Sequence, residues 1–325
     1  MRILVLGGTV FLGRHLVAAA LAAGHEVTTL NRGSQNLPEQ THVEKLIADR
    51  DDCLSLLCGK NFDAVIDTCG YQPQVVEKSV KALKDLKEQI QNYVFISSIS
   101  AYGDFSRLGL TEEDPVKYTG SGEGDYGSLK ADCEKIVSDN ITNSLVIRPG
   151  LIVGPFDQSD RFSYWPWRIA QGGDVLCPGK PERTIQFIDV RDLADWVITL
   201  VENNVHGCFN ATGPQRPLTM GAFLEECLVT INNDCRLIWL SDEKLEALEV
   251  QPWMQMPLWL PQSSQDWAGF MQFNCSKAFA AGLTTRPLAE TIVAVLDWDK
   301  ARPEPVVRKA GLTLAEESKY LLAQL

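Results

Sequence analysis

The sequence lacks any apolar run long enough to cross a membrane, which requires about 20 residues. The stretch "LVAAALAAG" is much shorter, and glycines followed by Arg14 and His15 interrupt the apolar N-terminus ahead of it. We therefore expect neither a membrane span nor a secretory signal, and we interpret the chain as a cytoplasmic protein with no membrane partner.

Paired cysteines and clustered histidines are also missing. The nine cysteines are scattered, their number is odd, and none forms a Cys-x-x-Cys pair, which favours reduced thiols over disulfides. The four histidines show no metal-ligand spacing, so we predict no metal site.

An excess of basic residues is absent as well. Thirty Lys and Arg face 42 Asp and Glu, giving a formal net charge of −12. This balance disfavours binding to nucleic acids or anionic membranes. We therefore expect the partner to be a small molecule and expect no nucleic acid.

Short apolar runs alternate with longer amphipathic stretches along the first half of the chain. "RILVLG", "FDAVIDTCG" and "NYVFISSIS" have the near-continuous apolar character of strands buried on both faces, and helical patterns separate them. This alternation predicts an α/β fold with a Rossmann-like doubly wound parallel sheet and a smaller C-terminal substrate lobe. Segments 185–190 and 207–213 are expected to rejoin the sheet.

The predicted domain boundaries follow from where this alternation loosens. We assign residues 1–155 and about 184–213 to a dinucleotide-binding domain. Residues about 156–183 and 214–325 form the expected substrate-binding lobe, which is rich in Trp and Pro at 162–173 and again at 253–267.

A glycine loop, "GGTVFLG", joins the first predicted strand to the first predicted helix. Exposed backbone N–H groups and the helix dipole at such a junction favour a phosphate. A Walker loop is excluded because Arg14 and His15 stand where Lys and Ser or Thr are required. Gly7 and Gly13 suit a dinucleotide loop, whereas Val10 occupies its middle glycine position; a plain tight turn is the alternative.

The end of the second strand, "TLNRG", lacks the acid that NAD enzymes usually place there for the ribose hydroxyls. Asn31 and Arg32 stand in its place, and Arg32, helped by Arg14, could attract a 2′-phosphate. We therefore expect NADP(H) to be favoured over NAD(H), unless Arg32 is only a solvated turn residue.

Tyr126 and Lys130 in "YGSLK" lie four residues apart and share one face of a predicted helix. A nearby ammonium stabilises a phenolate, so we expect a lowered pKa for Tyr126. Ser97 and Ser98 end a predicted strand, and strand ends in such sheets face the ligand crevice. The order of glycine loop, serine, tyrosine and lysine favours an acid/base site over a chance surface pair.

At this point the chain resembles the extended short-chain dehydrogenase/reductase family, also called the NAD-dependent epimerase/dehydratase family. The resemblance covers roughly residues 1–215 and rests on the following motifs: "GGTVFLG", "FISSISAYG", "YGSLK", "IRPGLIVGP", "QFIDVRDLA" and "CFNATGP".

The resemblance implies roles for particular residues. Tyr126 would be the catalytic acid/base, Lys130 would lower its pKa and bind the nicotinamide ribose, and Ser98 rather than Ser97 would hold the reacting oxygen. Homodimers through helices at 74–85 and 127–139 are implied as well. The expected cofactor contacts are Gly7, Thr9, Val10, Phe11, Leu12, Gly13, Asn31, Arg32, Asp49, Thr68, Cys69, Gly70, Ser97, Tyr126, Lys130, Pro149 and Gly150.

The substrate side is less defined by the sequence. Arg161, Tyr164 and Arg183 are candidate substrate contacts, and the tryptophans at 253–267 could line a pocket or fill a core. Aromatic residues with a basic group suit a nucleotide-sugar or a ring-bearing carbonyl compound. An NAD(P)-dependent reductase, epimerase or dehydratase is the leading interpretation. An RNA-binding protein similar to the chloroplast stem-loop-binding branch and a non-catalytic dinucleotide sensor are the alternatives.

Val10 yields a direct prediction. Because its side chain stands where a glycine would let the pyrophosphate approach the backbone, Val10→Gly should tighten dinucleotide binding. Fluorescence titration with NADPH measures the change. An unaltered dissociation constant would mean that the side chain points away from the phosphates.

Overall fold

The computed structural model describes residues 1–35, 37, 40–51, 54–57, 59–84, 90, 92–231 and 233–322. The strands, in chain order, are β1 (Arg2–Leu6), β2 (Glu26–Asn31), β3 (Glu44–Ile47), β4 (Ala64–Asp67), β5 (Asn92–Ile96), β6 (Ser144–Pro149), β7 (Ile152–Val153), β8 (Gly173–Pro178), β9 (Thr184–Asp189), β10 (Gly207–Ala211), β11 (Gly213–Thr219) and β12 (Cys235–Leu240).

The α-helices, in chain order, are α1 (Phe11–Ala22), α2 (Pro73–Lys84), α3 (Tyr126–Asn140), α4 (Tyr164–Ala170), α5 (Val190–Glu202), α6 (Met220–Ile231), α7 (Asp242–Ala247), α8 (Ser276–Ala280), α9 (Leu288–Lys300) and α10 (Leu314–Leu322). A short 3-10 helix is formed by Leu54–Leu57, and residues 52, 53 and 58 lie outside the described part of the chain. No helix among the described residues has the length and apolar character needed to span a bilayer.

Seven parallel strands form the central sheet in the order β10-β6-β5-β4-β1-β2-β3, which confirms the predicted doubly wound fold. The order reverses between β1 and β4. In such a sheet, ligands bind in the crevice outside the carboxyl ends of the strands at this reversal. The glycine loop follows β1 directly, so the fold places it at the reversal point.

Helices cover both faces of the sheet because its strands are apolar on both faces. In β1, Ile3 and Val5 pack into the core that α1 and α5 cover, whereas Leu4 and Leu6 pack into the core beneath α2 and α3. This two-sided burial explains why the strands are continuous apolar runs rather than alternating patterns.

A separate apolar core builds the second lobe. It includes Phe162 and Trp165 from the first Trp-rich stretch and Phe223, Trp259 and Ile292 from the C-terminal part. A three-stranded sheet, β11-β9-β7, and the pair β12-β8 lie in this region, which is more regular than its sequence suggests. The predicted domain boundaries remain predictions.

The expectation that segment 185–190 rejoins the central sheet is wrong. The segment 207–213 contains β10 and joins the central sheet as predicted, but β9 pairs with β7 and β11 instead. The reason is its side chains: Ile185 and Phe187 enter the core of the second lobe, while Ile188 packs against the core of the first. The strand therefore connects the two cores.

A buried ion pair fixes the C-terminal helix to the second lobe. The Nε of Arg168 donates to Glu317 at 2.5 Å, and both side chains are almost completely buried. The other Glu317 oxygen accepts the backbone N–H of Leu176 at 2.8 Å. Helix α10 is thereby attached to β8.

Removing the Glu317 carboxylate should destabilise the protein strongly. Glu317→Ala leaves the Arg168 guanidinium buried and uncompensated, which costs roughly 3–5 kcal/mol of unfolding free energy. Urea denaturation of the variant, with the exposed Lys319→Ala on the same helix as control, measures the loss. If Glu317→Ala lowers the free energy of unfolding no more than Lys319→Ala does, the ion pair contributes nothing to stability.

Candidate active site

The glycine loop is shaped by close backbone contacts. Gly7 and Gly8 have φ of +108° and +88°, values that side-chain-bearing residues rarely adopt. A Cβ on Gly13 would lie 2.7 Å from the backbone nitrogen of Gly8. Only glycine at this position lets the first turn of α1 pack so closely against the loop. The N-terminus of α1 therefore opens directly onto the sheet reversal point.

Val10 differs from its neighbours in the loop. It is the N-cap of α1, with φ −120° and ψ 139°, an extended conformation open to any residue. Its side chain is 52% exposed and lies at the rim of the cleft. The backbone at the middle position thus requires no glycine, which explains how the loop forms with valine there.

The end of β2 closes the loop from the side. The Nδ2 of Asn31 donates to the carbonyl of Gly7 at 3.2 Å, and its Oδ1 accepts the N–H of Gly33 at 2.9 Å. Arg32 is exposed and lies on the cleft wall. Arg14 does not line this cleft, and its guanidinium lies 3.6 Å from the ring centre of Phe156. Asn31 therefore holds the loop, and Arg32 is an exposed cation beside it.

A cleft of about 600 Å³ runs along the carboxyl edge of the sheet. It brings together nearly all the residues expected to contact a cofactor, together with Ser98. The described residues of that set on its walls are Gly7, Thr9, Val10, Phe11, Leu12, Gly13, Asn31, Arg32, Asp49, Thr68, Cys69, Ser97, Tyr126, Lys130, Pro149 and Gly150. Gly70 does not line the cleft. A Cβ there would lie 2.5 Å from the Phe95 ring, and its carbonyl accepts a hydrogen bond from Lys130.

Lys130 is held by the strand ends. Its Nζ donates to the carbonyl of Gly70 at 2.9 Å and to that of Ile96, the last residue of β5, at 2.8 Å. The residue is 2% exposed. Burial lowers the pKa of Lys130, and the charge of Asp67 opposes that shift. The ammonium therefore fixes α3 against the edge of the sheet.

Tyr126 begins α3 and faces the cleft. Its ring centre lies 6.0 Å from the Nζ of Lys130. Asp125 caps the helix just before it by accepting the N–H of Ser128 at 2.9 Å. Helix capping and the Lys130 anchor together fix where the phenol stands.

The expected lowering of the Tyr126 pKa is not what the structure shows. Burial raises this pKa, the neighbouring Tyr71 raises it further, and a hydrogen bond with Ser98 works in the opposite direction. Lys130 is not among the groups that shift this pKa, and its Nζ lies 6.0 Å from the ring centre. The phenol consequently stays protonated at neutral pH.

The two serines of the β5 end have different surroundings. Ser97 donates to the carboxylate of Glu134, which in turn holds Arg148 through hydrogen bonds of 3.0 and 2.7 Å. This network is buried, so the Ser97 hydroxyl is committed to it. Ser98 instead lies beside Tyr126, and its Oγ accepts the N–H of Ser100 at 3.1 Å. Ser98 is therefore the hydroxyl available to a ligand.

Sequence analysis missed a buried ion pair beneath the site. Arg50 donates to both carboxylate oxygens of Asp67 at 2.7 and 2.8 Å, and the hydroxyl of Tyr93 donates to Asp67 at 2.9 Å. Arg50 lowers the pKa of Asp67 despite complete burial. The fixed negative charge compensates the nearby Lys130. Asp67 lies in the predicted strand "FDAVIDTCG" and Arg50 follows the expected cofactor contact Asp49, but nothing local in the sequence pairs them.

The candidate substrate residues largely lie elsewhere. Tyr164 is fully buried in the core of the second lobe, so its interpretation as a substrate contact is wrong. Arg183 donates to both oxygens of Asp242 and to the carbonyl of Leu260, which removes it from the cleft. Arg161 lines a small adjoining pocket beyond Val10, 5.7 Å from the ring centre of Trp253.

A second cleft of about 750 Å³ opens on the other side of Tyr126. Phe105, Trp253, Trp267 and Phe270 line it, whereas Trp165 and Trp259 are fully buried in the core of the second lobe. Of the tryptophans at 253–267, Trp253 and Trp267 therefore line the cleft, and Trp259 belongs to the core. Tyr126 is shared by the two clefts.

The chain is similar to several known proteins. The model of the NAD dependent epimerase/dehydratase family matches residues 3–211. The chloroplast stem-loop binding protein of 41 kDa b from Arabidopsis thaliana is 26% identical over 244 residues, which is 70% of this chain and 62% of that protein. A UDP-glucose 4-epimerase of Neisseria meningitidis is 29% identical over 163 residues, or 42% of this chain and 47% of the epimerase. The chain therefore spans less than two thirds of the length of either protein.

Solved structures share the fold over almost the whole chain. UDP-glucuronic acid 4-epimerase from Bacillus cereus, in complex with NAD, superposes with a TM-score of 0.67 at 19% identity. The match covers 93% of this chain and 99% of that one.

Proposed function

Because the chain belongs to the NAD-dependent epimerase/dehydratase family, we propose that it is a nicotinamide-dinucleotide-dependent oxidoreductase or epimerase with Tyr126 as its acid/base. One observation carries the proposal: Ser98, Tyr126 and Lys130 line the same cleft as the glycine loop. Hydride chemistry and proton transfer need these two parts side by side.

The cleft fits a dinucleotide in shape and chemistry. Close packing of Gly8 against Thr29 and of Gly13 against Gly8 holds the loop backbone at the N-terminus of α1, where free N–H groups favour a phosphate. Lys130 and Tyr126 would face the nicotinamide ribose. Asp49 would face the adenine. When bound, the dinucleotide supplies the hydride donor or acceptor.

Tyr126 and Ser98 would handle the proton at the substrate oxygen. Since the phenol is protonated at neutral pH, it can donate its proton to a carbonyl oxygen during reduction. The Ser98 hydroxyl, beside it, would hold the same oxygen in place. In the reverse direction the proton returns from the substrate hydroxyl to the phenolate.

We further propose that the cofactor is NADP(H) rather than NAD(H). The end of β2 carries Asn31 and Arg32 where an acid would repel a 2′-phosphate. Arg32 is exposed on the cleft wall, and the Asn31 side chain is already committed to the loop backbone. In this proposal Arg32 binds that phosphate.

The partner in this proposal is a small-molecule substrate. The net charge of −12 gives no support to the RNA-binding alternative. Stem-loop binding is named for one relative. The proposed homodimer through α2 and α3 and the proposed cytoplasmic location continue to rest on the family resemblance and the sequence.

Replacing the Tyr126 hydroxyl tests the mechanism. Tyr126→Phe should lower kcat about 10²- to 10⁴-fold, the usual contribution of a positioned acid/base, while dinucleotide affinity stays within about twofold. Tyr118→Phe is the control, since Tyr118 is equally exposed but lies outside both clefts. Full turnover by Tyr126→Phe would refute the acid/base role.

Replacing Arg32 tests the cofactor preference. Arg32→Ala should weaken NADPH binding about tenfold by removing a charge-assisted contact to the 2′-phosphate, and should leave NADH binding unchanged. The exposed Arg216→Ala, on β11, controls for the loss of a surface charge. Wild-type protein that binds NADH more tightly than NADPH would contradict this proposal.

A further inference from the structure

The second cleft, called here the aromatic cleft, is built from stacked rings. Phe105 and Trp267 stack with ring centres 5.4 Å apart and planes 10° apart. Phe270 meets Phe105 edge to face at 5.2 Å, and Trp253 meets Phe270 in the same way at 5.5 Å. Trp267 remains 43% exposed, so one of its faces is available to a ligand.

Backbone contacts hold these rings in place. The N–H of Gly269 donates to the carbonyl of Phe105 at 2.6 Å, and that of Gly109 donates to the carbonyl of Gln272 at 2.8 Å. A Cβ on Gly269 would lie only 1.8 Å from the carbonyl oxygen of Arg107. The two loops therefore form one unit, and the ring wall exists before a substrate arrives.

The charged groups of the aromatic cleft are mainly acidic. Among the described residues that line it, Asp104, Asp125 and Asp266 are acidic and Lys117 is basic. Lys117 donates to Asp125 at 2.6 Å and lowers the pKa of Asp125 to about 2. The backbone N–H of Ser106 lowers the pKa of Asp104. At neutral pH the wall therefore carries a net negative charge.

Two arginines that adjoin these loops are already paired. Arg107 donates to Asp114, and Arg183 donates to the carbonyl of Leu260, which lines the cleft, and to both oxygens of Asp242. A diphosphate needs cations or several N–H donors, and arginine is the side chain best suited to it. In the described part of the chain, no arginine lines the aromatic cleft. A diphosphate there would face carboxylates instead.

We propose that the substrate is an unphosphorylated ring-bearing carbonyl or alcohol, neutral or cationic, which lies against Trp267 with its reacting oxygen at Tyr126. This deepens the proposed function and rests on it. In the reducing direction, hydride from the reduced dinucleotide forms the new C–H bond. The C=O π pair takes the proton of Tyr126, so the ketone or aldehyde becomes an alcohol and the dinucleotide is oxidised.

Two probes of opposite chemistry test the proposal on the full chain: 2-acetylnaphthalene, a neutral aromatic ketone, and UDP-glucose. With NADPH present, the ketone should raise the melting temperature and be reduced. UDP-glucose is tested with NADP⁺ and with NAD⁺, because oxidation of its hydroxyl needs an oxidised dinucleotide, and it should neither raise the melting temperature nor be converted. Turnover of UDP-glucose without ketone reduction would overturn the inference while leaving the proposed function intact. Failure of both probes with NADPH bound would also overturn it, and failure to bind either NADPH or NADH would remove the proposed function as well.

Trp267 provides the residue-level test. Trp267→Ala should raise the dissociation constant of the ketone about tenfold by removing one aromatic stacking contact, and Trp267→Phe should recover most of the affinity. Trp239→Ala is the control, because Trp239 is a partly exposed tryptophan on β12, outside the aromatic cleft. Equal effects of Trp267→Ala and Trp239→Ala on ketone affinity would contradict the stacking role.

Discussion

The buried ammonium of Lys130 is the interaction on which the site depends. It bonds to the carbonyls that follow β4 and end β5, and so fixes the first turn of α3 to the carboxyl edge of the sheet. A buried cation is costly without compensation, and the fully buried Asp67, itself paired with Arg50, supplies the opposite charge. Because Tyr126 lies one turn before Lys130, this anchor also decides where the phenol stands.

The two clefts that share Tyr126 are built by different means. Regular strands and the α1 terminus form the one that faces the glycine loop, so its shape follows from the sheet reversal and from glycines that admit no Cβ. Loops fastened by backbone hydrogen bonds form the aromatic cleft. Such loops can change sequence without disturbing the sheet, which is how one fold accommodates different substrates.

Local patterns predicted the parts of the site that lie within one element or at its end. The four-residue spacing of Tyr126 and Lys130 and the position of Ser98 after a strand were visible because helix and strand geometry is regular. The expected direction of the Tyr126 pKa was wrong, since it weighed the nearby ammonium of Lys130 and not the burial of the phenol beside Tyr71, which raises the pKa. Tyr164 was misread because a single sequence does not tell a buried aromatic ring from an accessible one.

The sequence alone determined the parallel sheet, the glycine loop at its centre and the chain order of the acid/base residues, because apolar periodicity and turn chemistry are local properties. Only the tertiary structure decided the pairing of Arg50 with Asp67, the departure of β9 from the central sheet and the division of the tryptophans between core and cleft. Each of these depends on segments far apart in the chain, and their proximity is set by packing, which no short stretch of sequence contains.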